Sequence, residues 1–137
     1  MYFQNVNSNR DPFTLIEGGT YQLEVNGSGI TTGDYSFLFS DANQAPELNF
    51  NSTITNTLEA NTSKVYKFTG TKDQNLSFED VGSDSGGTFR LFGPGNQSIT
   101  ARSFRSNFEV TLPGDGIYTL ILDNSSSNAI NSSFRVV

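Results

Sequence analysis

The acidic residues Glu79, Asp80 and Asp84 lie close together in a glycine-rich stretch of the sequence, and their side chains are the first candidates for chemistry. Calcium binds carboxylate and carbonyl oxygens that a flexible loop brings together. We therefore predict a calcium site in an acidic loop at residues 79–87, although the spacing is not that of an EF-hand. The alternative interpretation is a solvated loop that keeps the ends of the sheets soluble. Calcium is the only cofactor that the sequence suggests.

A second candidate site consists of arginines in the last third of the chain, Arg90, Arg102 and Arg105. If their strands are neighbours, these side chains form a basic patch within an acidic protein. Such a patch would bind an anionic polysaccharide. The alternative is that the arginines face solvent and discourage pairing at a sheet edge.

The residues needed for the common hydrolytic mechanisms are missing. His and Cys are absent from the sequence, so no Ser-His-Asp or Cys-His nucleophile can form. A Ser-Lys pair would need a serine beside Lys64, Lys67 or Lys72, and no motif places one there. Paired carboxylates hydrolyse glycosides, but neighbours such as Glu79 and Asp80 point to opposite faces if a strand continues through them. We therefore expect a protein that is not an enzyme.

The overall charge and composition limit the partners. The chain of 137 residues has a formal net charge of −6, which opposes binding to phosphate backbones and to anionic lipid surfaces. We therefore expect neither a nucleic-acid partner nor a membrane. Asn, Ser and Thr fill the spaces between apolar residues and Lys is scarce. This composition favours an extracellular or cell-surface location.

Two stretches of the chain carry the same pattern of a turn followed by a strand. In residues 112–122 a glycine-rich turn precedes Tyr-x-Leu-x-Leu, and residues 15–25 have the same layout. Alternation of apolar and polar residues predicts strands with one buried face, and no window shows a helical period. We therefore predict an all-β fold, an antiparallel β-sandwich or jelly roll.

The repeated pattern divides the chain into unequal parts. We predict a complete sandwich of roughly eight strands in residues 50–137, a linker in residues 41–49, and a partial repeat of three to four strands in residues 1–40. The partial repeat corresponds to the second half of the later unit. Because half a sandwich cannot cover its own apolar face, we expect it to pack on the complete unit or to borrow a partner chain in a homodimer. Met1 directly before Tyr2 resembles a start placed in the middle of a strand, so we also expect a fragment of a longer protein.

Three pieces of sequence resemble a known family: VYKFTGT at 65–71, RLFGPGN at 90–96 and VTLPGDGIYTL at 110–120. In order and spacing they are similar to the bacterial pre-peptidase C-terminal domain, a small β-sandwich attached to secreted peptidases and present in large surface proteins. The resemblance extends over residues 50–137, and residues 1–40 are similar only to the C-terminal half of the domain. It implies a non-catalytic accessory module, which in some relatives contacts insoluble substrates or binds calcium. Because the unit follows part of another one, the resemblance implies a tandem array.

Two functions remain open at this point. The first is a structural or adhesive module of a large secreted or cell-surface bacterial protein, whose partners are neighbouring domains of the same polypeptide or another surface protein. The second is an accessory module that depends on calcium or binds a surface polysaccharide through loops at the ends of the sandwich.

Overall fold

The computed structural model describes residues 9–27, 29–30, 32–82 and 86–137. Within these ranges eight strands form two four-stranded antiparallel sheets, which confirms the predicted all-β sandwich. The strands are β1 (Ile54–Leu58), β2 (Ser63–Gly70), β3 (Asn75–Asp80), β4 (Thr88–Phe92), β5 (Ser98–Ser103), β6 (Phe108–Thr111), β7 (Gly116–Asp123) and β8 (Ile130–Val136). A 3-10 turn, Ala42–Gln44, precedes them. None of the described residues belongs to a helix long and apolar enough to cross a membrane.

Each sheet combines strands from both halves of the sandwich sequence. The first sheet has the order β1-β8-β3-β6 and the second has the order β2-β7-β4-β5. The last three strands are therefore never neighbours of one another. β6 pairs with β3, β7 lies between β2 and β4, and β8 lies between β1 and β3. Each of these three strands depends for its hydrogen-bond ladder on the first four.

Alternate strand positions supply one aromatic core between the sheets. Phe89 of β4 has its ring centroid 4.6 Å from that of Phe104, 5.0 Å from that of Phe134 and 6.2 Å from that of Phe108. The first three of these rings are almost completely buried, and Phe108 packs against them from the edge. Burying a large apolar side chain contributes about 1.5–3 kcal/mol, so this aromatic cluster is a main source of the stability of the sandwich.

The turn between β6 and β7 has a geometry that only glycine adopts without strain. Gly116 has a φ of +142°, which a side chain at this position would disfavour, and a Cβ atom there would lie 2.6 Å from Cγ of Pro94. Two residues later, the Tyr118 hydroxyl donates a hydrogen bond of 2.6 Å to the carbonyl oxygen of Gly114. The turn thereby directs Tyr118 into the core as β7 begins.

The three to four strands predicted in residues 1–40 are not formed in the described part of that segment. Residues 9–27, 29–30 and 32–40 contain no strand, and nearly all of their side chains are exposed. The topology gives the physical reason. The segment has the sequence pattern predicted for the last three strands of the sandwich, and those strands pair only with β1–β4. A segment that has the alternation but not the pairing strands cannot build a sheet by itself.

Residues 41–49, predicted as a linker, lie along the edge of the second sheet. The backbone N–H of Leu48 donates a hydrogen bond of 2.8 Å to the carbonyl oxygen of Lys67, and the N–H of Lys67 donates one of 3.0 Å to that of Pro46. Glu47 and Lys67 thus form an isolated parallel bridge beside β2. Leu48 is buried in the core, so this segment covers the edge strand.

The predicted acidic loop begins later than the sequence indicates. Glu79 and Asp80 are the last two residues of β3, where they pair with Arg135 and Phe134 of β8. Acidic residues are depleted in strands, but β3 lies between β6 and β8, and its pairing with β8 extends through both residues. The loop starts at Val81.

Candidate functional site

Glu79 and Asp80 do not converge on a common point. Glu79 faces Arg135 across the two strands, with its Oε2 2.9 Å from Nε and 2.5 Å from Nη2 of the arginine. Asp80 follows it along the strand and points to the opposite face, where its Oδ1 accepts a hydrogen bond of 3.1 Å from the N–H of Gly82. Asp84 lies outside the described residues. Over the described ranges, no group of three or more His, Cys, Asp and Glu side chains is arranged to hold a metal ion, and the calcium site stays a prediction.

The three candidate arginines occupy different surroundings. Arg90 on β4 is opposite Ala101 on β5, so Arg102, the next residue of β5, points to the other face of the second sheet. Arg90 is paired with carboxylates, whereas Arg102 is exposed and donates a hydrogen bond of 3.3 Å to the carbonyl oxygen of Ala101. Arg105 lines a shallow depression beside the loop between β7 and β8. The register therefore separates Arg90 from Arg102, and polysaccharide binding stays a prediction.

A buried carboxylate, Asp123, lies at the end of β7 on the outer face of the second sheet. Its side chain is 8% exposed, and its Oδ2 is 3.1 Å from Nη1 of Arg90. Its Oδ1 accepts hydrogen bonds of 2.5 Å from the Ser63 hydroxyl and 3.1 Å from Nδ2 of Asn9. A buried charge is tolerated when it is paired and hydrogen-bonded. Asp123 therefore joins β2, β4 and the start of the described chain.

Sequence reasoning did not connect Asp123 with Arg90. The connection depends on β4 lying beside β7 in the second sheet, which places Thr88 opposite Asp123 and Arg90 opposite Ile121. The only sign of this ion pair in the sequence is that two largely apolar strands each carry one charged residue, Arg90 in β4 and Asp123 in β7. It becomes informative only when the strand order is known.

The start of the described chain crosses the outer face of the second sheet and is held there at three points. The Asn9 side chain makes the first contact, with the buried carboxylate of β7. The Asp11 carboxylate then forms an ion pair with Arg90, and the Thr14 hydroxyl accepts a hydrogen bond of 2.8 Å from Nδ2 of Asn96. Asn96 belongs to the turn between β4 and β5, so the segment follows the direction of β4.

Two apolar residues on this outer face are buried. Phe92 and Ile121 are 2% and 8% exposed, although neither belongs to the core cluster between the sheets. The guanidinium carbon of Arg90 lies 5.1 Å from the ring centroid of Phe92, a distance at which a cation and an aromatic ring attract each other. The outer face around Arg90 is therefore a mixed apolar and charged surface that is largely covered.

From Phe13 onwards, the described part of the N-terminal segment exposes an unusual number of large apolar side chains, each of them at least half exposed. They are Phe13, Leu15, Ile16, Tyr21, Leu23, Ile30, Tyr35, Phe37, Leu38 and Phe39. The Tyr35 and Phe37 rings are stacked with their centroids 6.4 Å apart. Monomeric proteins seldom leave so much apolar surface in water unless it binds a partner.

This exposed segment retains the turn geometry of the sandwich. Gly19 has a φ of +149°, close to the +142° of Gly116. The Tyr21 hydroxyl donates a hydrogen bond to the carbonyl oxygen of Glu17, four residues earlier, as the Tyr118 hydroxyl does in the turn before β7. Tyr21 is 53% exposed, whereas Tyr118 is completely buried. The two copies of the repeat thus share a local structure and differ in burial.

The chain matches no family model and no curated protein sequence. Its structure is similar to that of PliG from Aeromonas hydrophila, a periplasmic lysozyme inhibitor of g-type lysozyme, with a TM-score of 0.53 and 14% identity over 68% of this chain and 96% of that one. PliG from Salmonella Typhimurium gives a TM-score of 0.52 and 19% identity over 68% and 98% of the two chains. The pre-peptidase C-terminal domain of a collagenase from Bacillus anthracis gives 0.50 and 19% over 69% and 95%. The protein therefore has a fold like that of the pre-peptidase C-terminal domain.

Proposed function

We propose that the protein is a non-catalytic β-sandwich module that acts through contacts with other polypeptides, as a structural or adhesive unit of a large secreted or cell-surface bacterial protein. The observation that carries this proposal is the exposed apolar surface of the segment from Phe13 to Phe39. Binding of a partner would remove that surface from water, and each Å² of apolar surface buried contributes roughly 25 cal/mol of favourable free energy. Neighbouring domains of the same polypeptide are the first candidates for the partner.

The chemistry of the chain and its structural relatives support this role. The sequence has neither His nor Cys, and Asp123, the most buried carboxylate among the described residues, is already held by Arg90 and Ser63. One solved structure of the same fold is a periplasmic lysozyme inhibitor, and another is the pre-peptidase C-terminal domain of a collagenase. These relatives support a module that works outside the cytoplasm.

Sedimentation velocity over a concentration series tests the contact role. We expect the mean mass of the wild-type protein to rise with concentration, because the exposed apolar side chains associate when no partner is present. A variant that combines Leu15→Ser, Leu23→Ser and Phe37→Ser should remain monomeric over the same series. A matched control that combines Val81→Ser and Ile117→Ser replaces apolar residues exposed on the sandwich itself and should associate as the wild type does. A wild-type protein that is monomeric throughout would contradict the proposal.

A thermal melt of the EDTA-treated protein tests the accessory-module alternative. A ligand that binds the native state raises the melting temperature by mass action. Under the contact proposal, we expect the same melting temperature with and without millimolar calcium, and with and without alginate as a probe for anionic polysaccharides. A rise with calcium that magnesium does not reproduce, and that Asp84→Asn removes, would instead favour the calcium-dependent module. A rise with alginate that Arg102→Ala or Arg105→Ala removes would favour polysaccharide binding.

A further inference from the structure

The N-terminal repeat, defined here as residues 13–27 and 32–39, corresponds position by position to the end of the sandwich. The matching pairs are FTL at 13–15 with VTL at 110–112, YQLEV at 21–25 with YTLIL at 118–122, and YSFLF at 35–39 with SSFRV at 132–136. The matched turn geometry of Gly19 and Gly116 and the matched tyrosine hydrogen bonds show that the correspondence extends to the backbone. The N-terminal repeat therefore carries the sequences of a β6 end, a β7 and a β8.

In the sandwich, the partners of these three strands all come from the first half of the unit. β7 pairs with β2 along the whole length of both strands, from Ser63 opposite Asp123 to Gly70 opposite Gly116. β8 pairs with β1 over five residues and with β3 over three, and β6 pairs with β3 alone. In the described part of the chain, the N-terminal repeat has none of these partner strands beside it. Its inter-strand hydrogen bonds are therefore not formed, and its apolar side chains are exposed to solvent.

We propose, building on the contact function proposed above, that the partner of the N-terminal repeat is a polypeptide segment equivalent to β1–β5, the first half of another sandwich of this fold. Such a segment would place one strand between residues 33–39 and residues 13–15, in the position of β3. It would place two further strands on either side of residues 19–25, in the positions of β2 and β4. Its inward side chains are large and apolar, because they must cover Tyr21, Leu23 and Phe37.

A second copy of the same chain is a poorer donor of these strands. In each copy β1–β4 are already paired with β6–β8 of the same sandwich, and an intramolecular partner has the advantage of a high effective concentration. Exchange between copies would first have to open a complete sandwich. An unpaired first half, by contrast, has no strand pairs to break before it binds. The surface of the N-terminal repeat therefore fits an unpaired segment equivalent to β1–β5 better than it fits a second complete sandwich.

A longer chain, in which a second copy of residues 48–107 is inserted between Ser8 and Asn9, tests this assignment. The whole present protein is retained, and the duplicate supplies the missing strands. We expect hydrogen exchange, followed by mass spectrometry, to show protection of residues 19–25 and 33–39 rising to the level of β7 and β8. The extended chain should also lose the concentration-dependent association of the wild type. The same extended chain carrying Leu23→Asp and Phe37→Asp is the control, and in it the protection of the added unit should disappear while β1–β8 stay protected.

The outcomes separate this assignment from the contact function. If residues 19–25 and 33–39 stay unprotected in the extended chain while the wild type still associates, the partner is not a first half, but the contact function stands. If the wild type forms a defined dimer in which residues 19–25 are already protected, exchange between copies replaces the separate donor. If the wild type does not associate at all, the contact function itself fails. Protection in the extended chain together with its loss in the control supports the assignment.

Discussion

Tyr21 and Tyr118 occupy the same place in two copies of one sequence pattern, and their environments are opposite. Both follow a glycine with a φ near +145°, since Gly19 and Gly116 have +149° and +142°, and both hydroxyls bond a carbonyl oxygen four residues earlier. Tyr118 is completely buried between two sheets, whereas Tyr21 is 53% exposed. The turn is therefore determined locally, and the strand is not.

The topology explains why the local structure is insufficient. A hairpin can form from a single sequence segment because its two strands pair with each other. In this sandwich, β6 and β8 lie in one sheet and β7 lies in the other, so consecutive strands of this region cross between the sheets. Each must find its partner far away in sequence. The N-terminal repeat has the turn but lacks the distant strands, and no ladder forms.

Truncation of a leucine at matching positions of the two copies should give the largest difference in the free energy of unfolding. Leu120 is completely buried, and Leu23 at the same place in the N-terminal repeat is 64% exposed. Leu120→Ala should lower the free energy of unfolding by about 2–5 kcal/mol, because it removes buried contacts and leaves a cavity. Leu23→Ala should change it by no more than about 0.5 kcal/mol. Urea denaturation followed by circular dichroism measures both. Equal losses would mean that residues 21–25 are packed in the folded state.

This difference in burial also marks what the sequence could predict. Alternation of apolar and polar residues along 50–137 predicts the strands well. An apolar residue at every second position indicates a buried face, whichever strand lies beside it. The Tyr-x-Leu-x-Leu pattern of Tyr118, Leu120 and Leu122 lies within β7. The same alternation occurs in residues 13–25 without a strand. Alternation therefore indicates that a strand is possible, whereas the presence of its partner decides whether it forms.

The candidate site could be predicted less well for the same reason. The calcium and polysaccharide predictions grouped residues that are near in sequence, but the register of β4 with β5 puts Arg90 and Arg102 on opposite faces of one sheet. The contacts that do hold the start of the described chain join Asn9 to Asp123 and Asp11 to Arg90. These residues are far apart in sequence, and the pairing of β4 with β7 brings Arg90 and Asp123 together.

Replacing the matched glycines, Gly116 and Gly19, by alanine should also affect the free energy of unfolding differently. Gly116→Ala should lower the free energy of unfolding by about 1–3 kcal/mol, because the positive φ strains a side chain and the new Cβ would lie 2.6 Å from Cγ of Pro94. Gly19→Ala meets no atom within 4 Å and strains a segment without strands, so its effect on unfolding should stay within about 0.5 kcal/mol. Thermal and urea denaturation compare the two. Gly114→Ala is the control, since nothing lies within 4 Å of the added Cβ there, and a large loss from it would point to a general sensitivity of the turn.

A smaller difference is expected when the matched tyrosines lose only their hydroxyls. Tyr118→Phe removes the 2.6 Å hydrogen bond to the carbonyl oxygen of Gly114 and keeps the buried ring, so the free energy of unfolding should fall by about 1 kcal/mol. Tyr21→Phe removes the corresponding bond in an exposed turn, where water replaces it, and should leave global stability unchanged. Urea denaturation of the two variants decides. If Tyr21→Phe costs as much as Tyr118→Phe, the N-terminal turn contributes to the folded core.

The smallest expected effect measures how firmly the N-terminal repeat is attached to the sandwich. Asp11 is largely exposed and pairs with Arg90, and exposed ion pairs contribute about 0.2–1 kcal/mol. A double-mutant cycle with Asp11→Ala and Arg90→Ala isolates this coupling, because the contact of Arg90 with Asp123 is lost in both variants that lack Arg90 and cancels. We expect a coupling energy in that range that falls as salt is added. A coupling energy of zero at low salt would mean that the Asp11–Arg90 pair does not hold the start of the described chain on β4, and the contacts of Asn9 with Asp123 and of Thr14 with Asn96 would then carry that attachment.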